Sequence, residues 1–162
     1  MPSDASSNLP PVLRPSTAPA VSLRALADAF AADVDGEADG VTIHGLTLAT
    51  GDLRPGDLFV ATRGVNRHGA EFVEDAAARG AVAVMTDAAG AALASASALP
   101  VLVVDDPRAV LGALSAWVYG TGRDDDLPIL FGTTGTNGKT SVSHLLEGIL
   151  EQLGAVTGLS ST

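Results

Sequence analysis

The sequence predicts an α/β fold, a small complete N-terminal α/β domain followed by a truncated second one, and three observations carry that prediction. Short apolar runs of strand length alternate with segments whose apolar residues recur at helical spacing. Most of these runs are continuous, the pattern of parallel strands covered on both faces. The 162 residues are 46% hydrophobic but only 4% aromatic, so a core is available and must be built mainly from Ala, Val and Leu.

In chain order, residues 1–20 hold Pro2, Pro10, Pro11, Pro15 and Pro19, which sustain neither a helix nor a central strand and predict a disordered leader. Ser22 is placed to cap a helix carrying Leu23, Leu26, Ala27 and Phe30, ending near Ala32. Residues 41–44 alternate like a strand, Gly45 interrupts it and residues 46–48 resume it. Arg54-Pro55-Gly56-Asp57 is turn chemistry delivering the chain into a buried strand at 58–61. A polar loop runs from Gly64 to Gly69, then a helix over 70–79 with Phe72, Val73, Ala76 and Ala77 on one side and Gly80 as its stop. A buried strand at 81–85, an Ala-rich helix over 88–99 and a strand at 101–104 follow, closed by Asp105-Asp106-Pro107. Leu111, Leu114, Trp117 and Val118 mark a further helix. The first domain thus spans 21–120, and the polar stretch at 121–127 reads as a linker. Residues 128–162 hold a short strand (128–131), a Gly-rich loop, a helix over 141–153 and the start of a next strand (155–160), too little to close a doubly wound core.

Composition excludes several classes. A net charge of −10 argues against a generic nucleic-acid binder, which needs a basic surface. The absence of cysteine removes disulfides, thiol nucleophiles and Cys-ligated zinc. No run of about 20 apolar residues offers a membrane span, and no signal pattern opens the chain, which favours the cytoplasm. Eight of the nine basic residues are Arg, and Lys139 is the one lysine.

That lysine lies in Gly132-Thr133-Thr134-Gly135-Thr136-Asn137-Gly138-Lys139-Thr140. Strand, Gly-rich loop, Gly-Lys-Thr and helix is the context of a P-loop. Glycines let successive N–H groups converge on an anion, and the helix N-terminus adds partial positive charge. Lys139 would reach the β- and γ-phosphates of ATP, the Thr140 hydroxyl would ligate Mg²⁺, and Ser141 stands where its hydroxyl or N–H can touch a phosphate. The glycine expected six residues before the lysine is replaced by Thr133 and sits one place earlier. On pattern alone, a Gly-rich turn that binds nothing is the competing reading.

Thr134-Gly135-Thr136-Asn137-Gly138-Lys139-Thr140 resembles the ATP-binding signature of the Mur ligases and their folylpolyglutamate synthase relatives, whose loop shares the shifted glycine. Upstream, residues 54–61, Gly64, His68-Gly69, Phe72 and residues 80–84 resemble the N-terminal domain of the branch that adds the third peptide residue. Residues 104–108 and Tyr119-Gly120 resemble the link into its ATPase domain. The resemblance covers about residues 22–162. It implies a UDP-binding first domain, the start of the central P-loop domain, and a ligase of peptidoglycan synthesis. There, ATP phosphorylates the D-Glu carboxylate of UDP-MurNAc-L-Ala-D-Glu, and the amine of meso-diaminopimelate or L-lysine attacks the acyl phosphate. It also implies Gly135, Thr136, Asn137, Gly138, Lys139, Thr140 and Ser141 as the ATP contacts, Lys139 as the catalytic residue, and a monomeric complete protein.

Carried over by position, the UDP contacts fall on Leu48, Thr50, Val65, Asn66 and Arg67. Where the family often has Asp-Ser-Arg, this chain has Ala49-Thr50-Gly51. Thr50 keeps the hydroxyl, and Arg67 stands where it can supply the diphosphate with the missing charge. The other polar residues read more simply: His68 as a structural hydrogen-bonding residue, His144 as surface or packing, Asp52 and Asp57 as turn residues, Asp105-Asp106 as a strand-end turn or cap, and residues 124–126 as solvated linker. Three alternatives stay open: the D-Ala-D-Ala-adding ligase, which Thr136-Asn137 disfavours; folylpolyglutamate synthase, whose ATP loop lies near the chain start; and a non-catalytic UDP-sugar-binding module. The 162 residues alone are expected to be an inactive N-terminal part of the enzyme.

Overall fold

The computed structural model describes residues 20–121 and 128–160. The expected leader, except its last residue, and the expected linker, except its first, lie outside the described residues. The chain divides into two compact units, Met1–Asp126 and Leu127–Thr162.

The first unit runs β1 (Val21–Ser22), α1 (Leu23–Ala29), β2 (Asp33–Asp35), β3 (Thr42–Ile43), β4 (Gly45–Thr47), β5 (Asp57–Val60), α2 (Val73–Ala78), β6 (Ala83–Thr86), α3 (Ala88–Ala94), β7 (Val101–Val103) and α4 (Pro107–Tyr119). Its main sheet has the order β2-β7-β6-β5-β4. β4 to β7 are parallel, with Leu46 facing Leu58, Phe59 facing Val84 and Met85 facing Leu102. β2 closes one edge antiparallel, Asp33 facing Val103, and β1 and β3 form a separate ribbon.

Both faces of this sheet are covered, as the continuous apolar runs require. On one side Leu58, Val60, Ala83, Met85 and Leu102 join Leu23 and Leu26 of α1 and Leu114 and Val118 of α4. On the other, Phe59, Val84 and Val101 join Val73 and Ala76 of α2 and Ala94 of α3. Alternate residues of one strand feed opposite layers because strand side chains have a period of two.

Capping fixes the helix starts. Ser22 Oγ accepts from the Ala25 N–H at 3.4 Å. Asp106 Oδ1 accepts from Arg108 N at 2.9 Å and Ala109 N at 3.2 Å, with Pro107 at the first turn. The strand-end aspartate is therefore a cap. Asp106→Ala is expected to cost about 1 kcal/mol, read as a lower urea midpoint in fluorescence of Trp117, the one tryptophan of the chain.

Several boundaries differ from expectation. α1 stops at Ala29, three residues early, because Ala31 adopts φ 48° and the Ala32 N–H returns to Ala27 O. That early exit lets the chain form β2, which the sequence hides because Asp33-Val34-Asp35 carries one half-buried residue between two exposed acids. Gly45 opens β4; the break falls at His44, whose N–H leaves the ladder for Gly56 O at 2.8 Å. The helix expected over 70–79 splits into a 3₁₀ turn, Gly69–Phe72, and α2. The Ala-rich helix ends at Ala94 rather than 99, and the last helix of the unit begins at Pro107.

The second unit has one regular element among the described residues, α5 (Lys139–Gln152). It begins at Lys139, two residues before the expected start. The strands expected at 128–131 and 155–160 are not formed: a strand exists through its ladder bonds, and no described residue of this unit lies in a sheet. Ile129, Leu130 and Phe131 are 83%, 88% and 62% exposed, and α5 buries no residue. Among the described residues no helix is long and apolar enough to cross a membrane.

Candidate functional site

The Gly-rich loop is built around two backbone conformations that side chains disfavour. Gly135 has φ 145° and Gly138 has φ 78°, the latter at the cap position of α5. A Cβ at Gly138 would meet nothing within 4 Å, so there the glycine answers a backbone requirement rather than crowding. Unlike α1, α3 and α4, α5 has no side-chain cap at its start. Its first-turn N–H groups are donors of the kind that anions satisfy. Lys139 Nζ donates to Gly135 O at 2.8 Å, bending the ammonium back over the loop, and Ser143 Oγ donates to Thr133 Oγ1 at 3.2 Å.

Residues 134–142 are all exposed, so Gly135, Thr136, Asn137, Gly138, Lys139, Thr140 and Ser141 form one accessible strip. The Thr140 hydroxyl sits one residue into the helix, beside the lysine. One hydroxyl is a fitting contribution to the oxygen shell of Mg²⁺, which draws its other oxygens from phosphate and water. No cluster of three His, Cys, Asp or Glu side chains able to hold a metal occurs among the described residues.

In the first unit, the segments leaving the C-terminal ends of β5, β6 and β7 converge on a cleft of about 390 Å³ lined by Thr62, Arg63, Val65, Asp87, Asp106 and Arg108, among others. This is the edge of a parallel sheet where ligands bind. Its far wall rests on His68. The ring Nδ1 accepts from the Ala70 N–H at 3.1 Å, which leaves Nε2 as the protonated nitrogen facing Asp87 Oδ1 at 3.2 Å. Asp87 also accepts from Gly90 N at 2.8 Å. Burial pushes the Asp87 carboxyl upward, but the Gly90 N–H and His68 outweigh it and hold the group below the usual carboxylate range. His68 is thus the structural hydrogen-bonding residue its loop position suggests. Gly90 lies directly beneath: a Cβ there would meet Thr86 Oγ1 and would stand 2.5 Å from His68 Cε1.

Of the expected substrate contacts, Val65 is fully exposed and lines the cleft, and Asn66 beside it is exposed. Arg67 is paired with Glu71 at 2.7 Å, and its guanidinium lies 4.6 Å from the Phe72 ring centre. The Arg67 hydrogen bond, with that from the His68 backbone, holds the Glu71 carboxyl below its usual value. Leu48 is 45% exposed, and Thr50 begins the 3₁₀ turn Thr50–Asp52 after β4. Asp75 is held low chiefly by its bond from Arg79 and then by one from the Thr50 hydroxyl. Leu48 and Thr50 do not line the cleft. Sequence reasoning missed Arg63, Asp87 and Arg108; the signal available was their common place just past the ends of consecutive apolar runs.

Residues 42–119 match the family described as "Mur ligase family, catalytic domain". The UDP-N-acetylmuramyl-tripeptide synthetase of Leifsonia xyli is 52% identical over 153 residues, 94% of this chain and 29% of that protein. The UDP-N-acetylmuramoyl-L-alanyl-D-glutamate--2,6-diaminopimelate ligase of Streptomyces coelicolor is 48% identical over 92% of this chain and 28% of that protein. Among solved structures, the D-alanyl-D-alanyl-adding ligase of Acinetobacter baumannii superposes with a TM-score of 0.66 at 23% identity, over 86% of this chain and 30% of that one. A second neighbour, the MurF ligase of Thermotoga maritima in complex with ADP, has a TM-score of 0.50 at 24% identity, over 66% of this chain and 23% of that one. The chain spans under a third of the length of these relatives. A family match lying across the parallel sheet, and identity of about half over nearly all its residues, place the chain in the Mur ligase family.

Proposed function

We propose that these residues form the substrate-recognising and ATP-engaging front of a ligase that adds the third residue to UDP-MurNAc-L-Ala-D-Glu. The observation that carries the reading is the 52% identity to a UDP-N-acetylmuramyl-tripeptide synthetase over 94% of the chain. In this reading the first unit binds the UDP end of the nucleotide sugar, with Leu48, Thr50, Val65, Asn66 and Arg67 as its contacts. Lys139 and the N–H groups of residues 135–141 bind the phosphates of ATP, and the Thr140 hydroxyl ligates Mg²⁺. When bound, Mg²⁺ neutralises phosphate charge. The protein's own work is to position the phosphates and spread positive charge where negative charge develops. The incoming amine belongs to meso-diaminopimelate or L-lysine, the setting is the cytoplasm, and the complete protein acts as a monomer. The 162 residues alone hold substrate and begin to hold ATP without completing the reaction.

The test is ligation by the complete protein: ATP-dependent conversion of UDP-MurNAc-L-Ala-D-Glu to a tripeptide with release of phosphate. Failure with both diamino acids, in a folded protein, overturns the reading. The D-Ala-D-Ala-adding reading draws on the likeness to the Acinetobacter structure, which at 23% identity speaks to fold alone; that activity in the same assay would replace the reading above. Binding of UDP-MurNAc-dipeptide without ATP binding would favour a non-catalytic module.

Arg67 acts here by shaping its loop, since its charge is committed to Glu71 and its plane to Phe72. Arg67→Ala is expected to weaken UDP-MurNAc-dipeptide about threefold, the scale of losing an exposed ion pair and a cation–π contact. Unchanged affinity in a titration would remove Arg67 from the site.

A further inference from the structure

We propose that Arg63 and Arg108, rather than Arg67, hold the diphosphate of the nucleotide sugar in the cleft at the ends of β5 and β7. The inference rests on the nucleotide-sugar reading above and adds the anion contacts that reading lacks. Arg108 Nη2 lies 3.4 Å from Thr62 Oγ1 and 3.4 Å from Arg63 O. That tie brings the start of α4 against the segment leaving β5 and sets two guanidinium-bearing residues side by side at the mouth. Among the described residues neither guanidinium has a carboxylate partner, whereas Arg24, Arg67 and Arg79 each do.

The two carboxylates in the cleft do not fill that role. Asp106 is turned to its own helix, accepting from Arg108 N and Ala109 N. Asp87 is turned to Gly90 N and His68. What the cleft presents is therefore two lining arginines without carboxylate partners among the described residues, beside carboxylates with acceptor capacity left over. A nucleoside diphosphate matches both: phosphate oxygens accept from the arginines in the bidentate manner guanidinium favours, and ribose hydroxyls donate to the carboxylates. The volume, about 390 Å³, lies within the range of roughly 300–1,000 Å³ found for ligand pockets. Arg67 does not line the cleft, and its guanidinium is paired with Glu71 and set against Phe72.

The experiment is calorimetric titration of the full 162-residue chain with UDP and, separately, uridine. It is done in a Lys139→Ala background so that the Gly-rich loop does not compete for the diphosphate. Arg63→Ala and Arg108→Gln are each expected to weaken UDP about tenfold, the scale of a charge-assisted contact, and to leave uridine unchanged. UDP binding should weaken with salt, and Arg63→Lys should restore part of it. Arg67→Ala should move UDP and uridine by the same factor. UDP bound as tightly by both variants as by the parent, or equal losses for UDP and uridine, overturns the assignment. Failure of the parent to bind either ligand overturns the nucleotide-sugar reading itself, and the assignment with it. Circular dichroism of each variant accompanies the titrations, and both side chains are exposed, so folding is not at stake.

Discussion

Lys139→Ala in the complete protein is expected to lower ATP-dependent ligation by about three orders of magnitude while leaving the unfolding curve in place. The loss follows from removing a preorganised positive charge from a transferring phosphoryl group, where single contacts are worth about 10²–10³ in rate and more when the charge is central. Stability should move by no more than about 0.5 kcal/mol, since the side chain is exposed and its contact is one hydrogen bond to Gly135 O. Lys139→Arg should rescue little, because a planar fork does not replace a compact ammonium bent over the loop. A steady-state assay of phosphate release, beside thermal melts of both variants, decides the matter; wild-type rates in Lys139→Ala defeat the P-loop assignment.

Gly90→Val should destabilise the first unit by about 3 kcal/mol, through overpacking together with the loss of a buried hydrogen bond. The position has no room. Even a Cβ would meet Thr86 Oγ1, and Thr86 is fully buried, donating to Ala61 O at 2.8 Å. Thr86 cannot yield without leaving that carbonyl unpaired, and the His68 ring cannot yield without leaving Asp87. Urea unfolding followed at Trp117 checks the figure. A change below about 0.5 kcal/mol, the ordinary scale of a tolerated surface substitution, would mean the wall of the cleft is softer than its packing implies.

What was legible in the sequence was what depends on local pattern. The strands around Phe59, Val84 and Leu102 are continuous apolar runs, and the Ser22 cap and Gly80 stop are local signals. The Gly-rich loop is a string of fixed spacing. What was hidden depends on partners distant in sequence. β2 is a strand only because β7 stands beside it, and residues 128–131, apolar enough to suggest a strand, form none without a neighbour. The cleft arginines are similarly obscure: each follows the end of an apolar run, but only the parallel order of β5, β6 and β7 brings those ends together.

The order β2-β7-β6-β5-β4 also has a consequence in time. Three neighbouring parallel pairs form between consecutive strands, so sheet growth from β4 to β7 proceeds through connections, two of them helical crossovers, far shorter than the stretch between β2 and β7. The remaining pair joins Asp33 to Val103, the first strand of that sheet to its last. Its closure carries the largest loop entropy and is the long-range contact that slows folding. On a ribosome, β2 must wait as an unpaired acidic segment until β7 has emerged. Asp33 and Asp35, exposed on either side of Val34, keep that waiting edge charged and so poorly suited to pairing with another nascent chain.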